Sequence, residues 1–95
     1  MSADRIGVDA NVLVYALYQD APTHLASRAF LERSQGGELS LALTSQVLAE
    51  FFSIVTSSKR VSKSRSPEEA AAAIEALLAM PGVTLLPVPP EVITL

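Results

Sequence analysis

The sequence predicts an α/β domain: a parallel sheet with helices on both of its faces. Three observations predict it. Apolar runs with strand character stand at residues 6–9, 39–43 and 83–86. Helical stretches separate each run from the next, the order that builds a parallel sheet rather than hairpins. The first run closes on an acid, Asp9. Open α/β sheets bind their ligands at the carboxyl ends of strands.

The elements follow in order. Residues 5–9 read Arg-Ile-Gly-Val-Asp, a short buried strand ending in an acid. Residues 12–18 are seven apolar residues in a row behind Asp9 and Asn11, both good N-caps, and predict a first helix. A helix apolar all round must be covered on more than one side. Pro22 sits in a turn, because it cannot continue a helix. A second helix starts at Thr23 or His24, with Leu25, Ala26, Ala29 and Phe30 on one face, and Gly36-Gly37 ends it. Residues 39–43 read Leu-Ser-Leu-Ala-Leu, a second strand. Ser45 is placed as the cap of a third helix running to about Ser57. A polar, basic connector over residues 59–65 follows. Ser66-Pro67-Glu68-Glu69 then joins Ser at the N-cap, Pro at the first helical position and Glu at the third, a strong helix start. That helix runs to Met80 and stops at Pro81-Gly82. Residues 83–88 form the third strand, and residues 89–95 begin a further element.

Composition narrows the chemistry. The chain has 95 residues, room for one domain, and 49% of them are hydrophobic, which excludes intrinsic disorder. The net charge is −3, so any contact with nucleic acid is local rather than through bulk charge. With no Cys there is no disulfide, thiolate metal site or Cys nucleophile. His24 is the one histidine, which excludes a multi-His metal site and leaves it as a first-turn surface residue. No apolar run is long enough to span a bilayer, and the first residues lack a signal-peptide pattern, so a cytoplasmic location is expected.

Two acids stand out. Asp9 faces the ligand crevice of an α/β sheet, and its alternative role is an N-cap. Glu50 lies just outside the apolar arc of Val47, Leu48, Phe51, Phe52, Ile54 and Val55, where it either leans over a crevice or is an ordinary surface residue. Two carboxylates without Cys or a His set suit a hard cation, Mg2+ or Mn2+, which takes oxygen ligands and activates water at a phosphodiester.

These residues carry a resemblance. Ile6-Gly7-Val8-Asp9-Ala10-Asn11-Val12-Leu13-Val14-Tyr15-Ala16 resembles the opening of a PIN domain, in particular of the VapC-type toxins of bacterial toxin–antitoxin pairs. Ser45-Gln46-Val47-Leu48-Ala49-Glu50-Phe51 resembles the second block of that family. The resemblance implies a three-layer α/β/α PIN-like fold with strand order third-second-first. It implies a Mg2+- or Mn2+-dependent endoribonuclease with an RNA substrate and a VapB-like antitoxin partner. A homodimer is expected on other grounds: without the strands of the missing part the first strand is an exposed edge and part of the first helix lacks cover. Asp9 matches the first metal-binding acid and Glu50 the second, with Asn11 and Ser45 in supporting positions. Ala10 departs from the Thr or Ser usual there, which removes a hydroxyl but no ligand.

PIN domains place a third acid after the third strand, and the acid past Val83 here, Glu91, precedes that position. Residues 1–95 are therefore expected to be a single, incomplete PIN domain, about two-thirds of one, and inactive alone. The alternative is a catalytically silent PIN-like binding or assembly module. Lys59, Arg60, Lys63 and Arg65 hold four of the seven basic residues and are either candidate RNA-binding residues or a solvated connector. Tyr15 and Tyr18 are either base-stacking residues or, on an apolar helix, core or interface.

Overall fold

The computed structural model describes residues 5–87. Among these residues, three strands alternate with two pairs of helices. The strands are β1 (Arg5–Gly7), β2 (Ser40–Thr44) and β3 (Val83–Leu86). The helices are α1 (Ala10–Leu17), α2 (His24–Gln35), α3 (Ser45–Val55) and α4 (Pro67–Ala79). Both pairings are parallel and the order is β1-β2-β3, so the expected order of strands holds. The register sets Ile6 beside Leu41, and Leu41 beside Val83. Residue 88 and the tail, with Glu91, lie outside the described residues.

The central strand shows the three-layer α/β/α arrangement most directly. Successive strand residues point to opposite faces, yet Leu41, Ala42 and Leu43 are 1%, 7% and 1% exposed. Both faces of β2 are therefore covered, as a parallel sheet requires. The core joins these residues to Val8, Ala10, Leu13 and Val14 near α1, to Leu48, Phe51, Ile54 and Val55 of α3, and to Ala70 of α4. Around α1 the cover is uneven: Leu13 and Val14 are buried, whereas Val12, Tyr15, Ala16 and Leu17 are half-buried.

Capping fixes where the helices begin. Helix α1 starts at Ala10, two residues earlier than the apolar run, because Asp9 has the extended backbone of an N-cap (φ −77°, ψ 149°). Helix α3 is capped by Thr44 rather than Ser45: the Thr44 hydroxyl accepts from the Val47 N–H at 3.1 Å, and Ser45 is already helical. Helix α4 carries the expected capping box, with Glu69 N–H on Ser66 Oγ at 3.1 Å and Ser66 N–H on Glu69 Oε1 at 2.9 Å. The turn into β3 rests on Gly82, at φ +85°, whose carbonyl accepts from the Leu41 N–H at 2.6 Å. His24 corrects the surface reading: it is 8% exposed, and its Nδ1 lies 2.8 Å from the Tyr15 carbonyl. That carbonyl gives the ring a partner inside the fold, which a local pattern does not reveal.

Candidate active site

Parallel pairing brings the starts of α1 and α3 to the same end of the sheet. The ladder continues past β1, with Val8 N–H donating to the Ala42 carbonyl at 3.3 Å. Asp9 follows directly and opens α1, while β2 passes straight from Thr44 into α3. Helices α1 and α3 pack against each other. The positive ends of two helix dipoles therefore meet beyond the carboxyl ends of two neighbouring strands, a setting that favours negative charge.

The Asp9 side chain makes no cap hydrogen bond and is exposed. Its backbone supplies the N-cap geometry, and its carboxylate stays free of that duty. Asn11, in the first turn of α1, is exposed, as is Ser45 at the start of α3. Glu50 is an exposed residue in the second turn of α3, bordered by half-buried Val47 and buried Ile54. Among the described residues neither Asp9 nor Glu50 takes part in an ion pair. Two exposed carboxylates are hard oxygen donors of the kind Mg2+ or Mn2+ accepts, so the donor chemistry fits such an ion. Among the described residues no group of three or more His, Asp or Glu stands close enough to hold a metal. The two acids therefore fit the ion in kind and fall short of a full ligand set.

The basic connector lies elsewhere. Tyr18, the C-cap of α1, donates its hydroxyl to the Lys63 carbonyl at 2.9 Å. Arg65 N–H donates to the carbonyl of Val55, the last residue of α3, at 2.6 Å. The connector thus crosses the C-terminal ends of α1 and α3, the helices that carry Asp9 at the N-cap and Glu50 in the second turn. The Arg65 guanidinium sits 5.4 Å from the centre of the Tyr18 ring, a cation–π contact. Tyr18 is buried, as the core reading of that residue had it, and Tyr15 is half-buried. Hydrogen bonds from the Ser66 backbone and then the Ser66 side chain, with the nearby Arg65 charge, hold the Glu69 carboxyl below the usual carboxylate range.

Sequence reasoning missed Thr44 as the α3 cap and the pairing of Arg65 with Tyr18. The Thr44 signal was present in principle, a hydroxyl three residues before Val47. The Arg65 contact spans 47 positions from Tyr18 (65 − 18) and leaves no local trace.

Comparison with known families matches residues 6–95 to the PIN domain. The chain belongs to the PIN domain family. This PIN domain is 40% identical over 79 residues to VapC ribonuclease Mb2897 of Mycobacterium bovis and to Ribonuclease VapC43 of Mycobacterium tuberculosis. The aligned stretch covers 83% of this chain and 54% of each relative. The PIN domain thus spans about half the length of the curated relatives it matches. No helix among the described residues is long and apolar enough to cross a membrane.

Proposed function

We propose that this PIN domain belongs to a VapC-type toxin, an endoribonuclease that depends on Mg2+ or Mn2+ and hydrolyses RNA phosphodiesters. One observation carries the reading. Asp9 and Glu50 are exposed carboxylates, one at the N-cap and one in the second turn, of two helices that start at one end of a parallel sheet. The likeness to proteins named as VapC ribonucleases supports it. Asp9 and Glu50 would hold the cation, and the bound ion would supply an activated water and charge stabilisation at the phosphodiester. Asn11, two residues beyond Asp9, steadies the first acid, and Ser45 supports the second. The helix N-termini add positive potential where the phosphate's charge must be accommodated.

A VapB-like antitoxin partner follows from the same likeness; a second copy would cover the edge strand β1 and the half-buried side of α1, and the expected location is the cytoplasm. The short ligand set among the described residues favours a second reading for residues 1–95 taken alone, a catalytically silent binding or assembly module. Two carboxylates hold a hard cation loosely, since charge count and rigidity set its affinity.

RNA cleavage with and without Mg2+ or Mn2+ tests the proposal in the full-length protein. Asp9→Asn and Glu50→Gln each keep shape and remove ligand charge. Each should abolish metal-dependent cleavage while leaving the circular dichroism spectrum unchanged. Wild-type rates in either variant would remove that residue from the mechanism.

A further inference from the structure

The connector between α3 and α4 is not a loose solvated loop. Three backbone hydrogen bonds and one side-chain bond pin it. Arg60 N–H and Val61 N–H both donate to the Ser57 carbonyl, at 3.1 and 3.2 Å. Arg65 N–H donates to the Val55 carbonyl, and Tyr18 Oη donates to the Lys63 carbonyl. Against the end of α1 this loop encloses a cleft of about 480 Å³, lined among others by Tyr18, Asp20, Ser62, Lys63, Ser64 and Arg65. A second hollow of about 210 Å³ shares Tyr18, Asp20 and Ser62 with it and adds Arg60.

The chemistry of this wall is that of a phosphate cradle. Ser62-Lys63-Ser64-Arg65 alternates hydroxyl donors with cations. Arg65 is half-buried, and its Nε is a buried donor with no hydrogen-bond partner among the described residues. The Nε is shut off from the cleft, so the donors left to meet an anion there are the terminal nitrogens of the guanidinium, with Lys63 and the Ser62 and Ser64 hydroxyls. The ring of Tyr18 holds the guanidinium in place, so little further ordering is required on binding. Of the two acids on the combined wall, Glu69 is engaged in its capping box, leaving Asp20 against Arg60, Lys63 and Arg65.

We infer that the Tyr18–Arg65 cleft is a phosphate-binding subsite that grips the backbone of a single-stranded RNA one helix length away from Asp9. This deepens the ribonuclease reading and rests on it. Helix α1 has 8 residues, about 12 Å at ~1.5 Å per residue. At a stacked rise of ~3.4 Å per nucleotide, about four nucleotides bridge the subsite and Asp9. Lys63 and Arg65 are thus positioning residues, and Lys59, which lines neither hollow, is not one.

Fluorescence anisotropy of a labelled single-stranded RNA tests this on the full-length protein carrying Asp9→Asn, so that bound RNA stays intact. Lys63→Ala should weaken binding roughly three- to tenfold and flatten the log–log salt slope by about 0.7, the value for one lost phosphate contact on a single strand. Arg65→Lys keeps the charge and loses the planar donors, so binding should weaken with the slope retained. Lys59→Ala should bind as the parent does. Lys63 is exposed, so Lys63→Ala is free of the folding risk that half-buried Arg65 carries. Parent-like binding by both Lys63→Ala and Arg65→Lys would overturn the subsite, as would an equal loss in Lys59→Ala. Inorganic phosphate displacing the RNA at equal phosphate concentration would replace the strand subsite with a free-anion site. Cleavage by the protein with Asp9 intact separates the two claims. Cleavage with a neutral Lys63→Ala sinks the subsite alone. Lys63-dependent binding without any cleavage sinks the nuclease reading alone.

Discussion

Replacing Gly82 with Ala should destabilise the fold far more than the same change at Gly37. Both glycines have positive φ, +85° at Gly82 and +86° at Gly37. An L side chain in that region costs about 1–2 kcal/mol. At Gly37 that is the whole cost, because a Cβ there meets nothing within 4 Å. At Gly82 the added carbon would stand 2.6 Å from the Leu39 carbonyl oxygen and 3.1 Å from both the carbonyl and the hydroxyl of Ser34. The nearest obstacle is backbone, so the turn itself must move. That movement strains the Leu41 N–H to Gly82 carbonyl bond, which begins the β2–β3 pairing. Overpacking of this kind adds about 1–3 kcal/mol. Gly82→Ala should therefore cost about 2–5 kcal/mol, against about 1–2 kcal/mol for Gly37→Ala. A domain of this size has about 5–14 kcal/mol in total. Urea unfolding followed by circular dichroism measures both, with the midpoint falling and the slope unchanged. Equal losses in the two variants would refute the steric argument and leave backbone conformation as the only cost.

Three further outcomes follow from the same contacts. Ser66→Ala removes the α4 cap and should cost about 1 kcal/mol in the same unfolding assay. The folded pKa of Glu69 lies below its unfolded value of about 4.3, so its contribution is fully present above that value and is lost as pH falls through the folded pKa; Glu69→Gln should flatten the acid limb of the stability curve there. Tyr18→Phe deletes the 2.9 Å bond to the Lys63 carbonyl but keeps the ring under Arg65, and should cost about 1 kcal/mol by urea unfolding while speeding proteolysis of the connector.

Much of this architecture is legible in the sequence where local chemistry decides it. Ser66-Pro67-Glu68-Glu69 marks the start of α4 to the residue, because every group of a capping box lies within four positions. Leu41-Ala42-Leu43 marks the central strand, because continuous apolar character is what burial on both faces selects. Where two local choices are equally good, tertiary structure decides between them. Thr44 and Ser45 are both preferred caps, and the pairing of Thr44 with Leu86 carries the strand up to Thr44 and leaves Ser45 inside the helix. The surface reading of His24 failed, and the Arg65–Tyr18 contact went unseen, for a related reason. Each is held by a group that its local pattern does not point to, the Tyr15 carbonyl for His24 and the Tyr18 ring for Arg65. Of the candidate site, the residue types, the strand-end place of Asp9 and the place of Glu50 beside the apolar arc of α3 were legible. The separation of the basic connector from those acids was not, because it depends on which ends of α1 and α3 the connector crosses.

Anomalous diffraction from crystals of the full-length protein soaked in Mn2+ tests the central claim most directly. One ion should appear between Asp9 and Glu50, bonded to oxygen at about 2.1 Å, with the two carboxylates within about 8 Å of each other. An ion bound elsewhere, or a Glu50 carboxylate turned to the opposite face of the sheet from Asp9, would contradict the assignment of these two acids as a shared metal site.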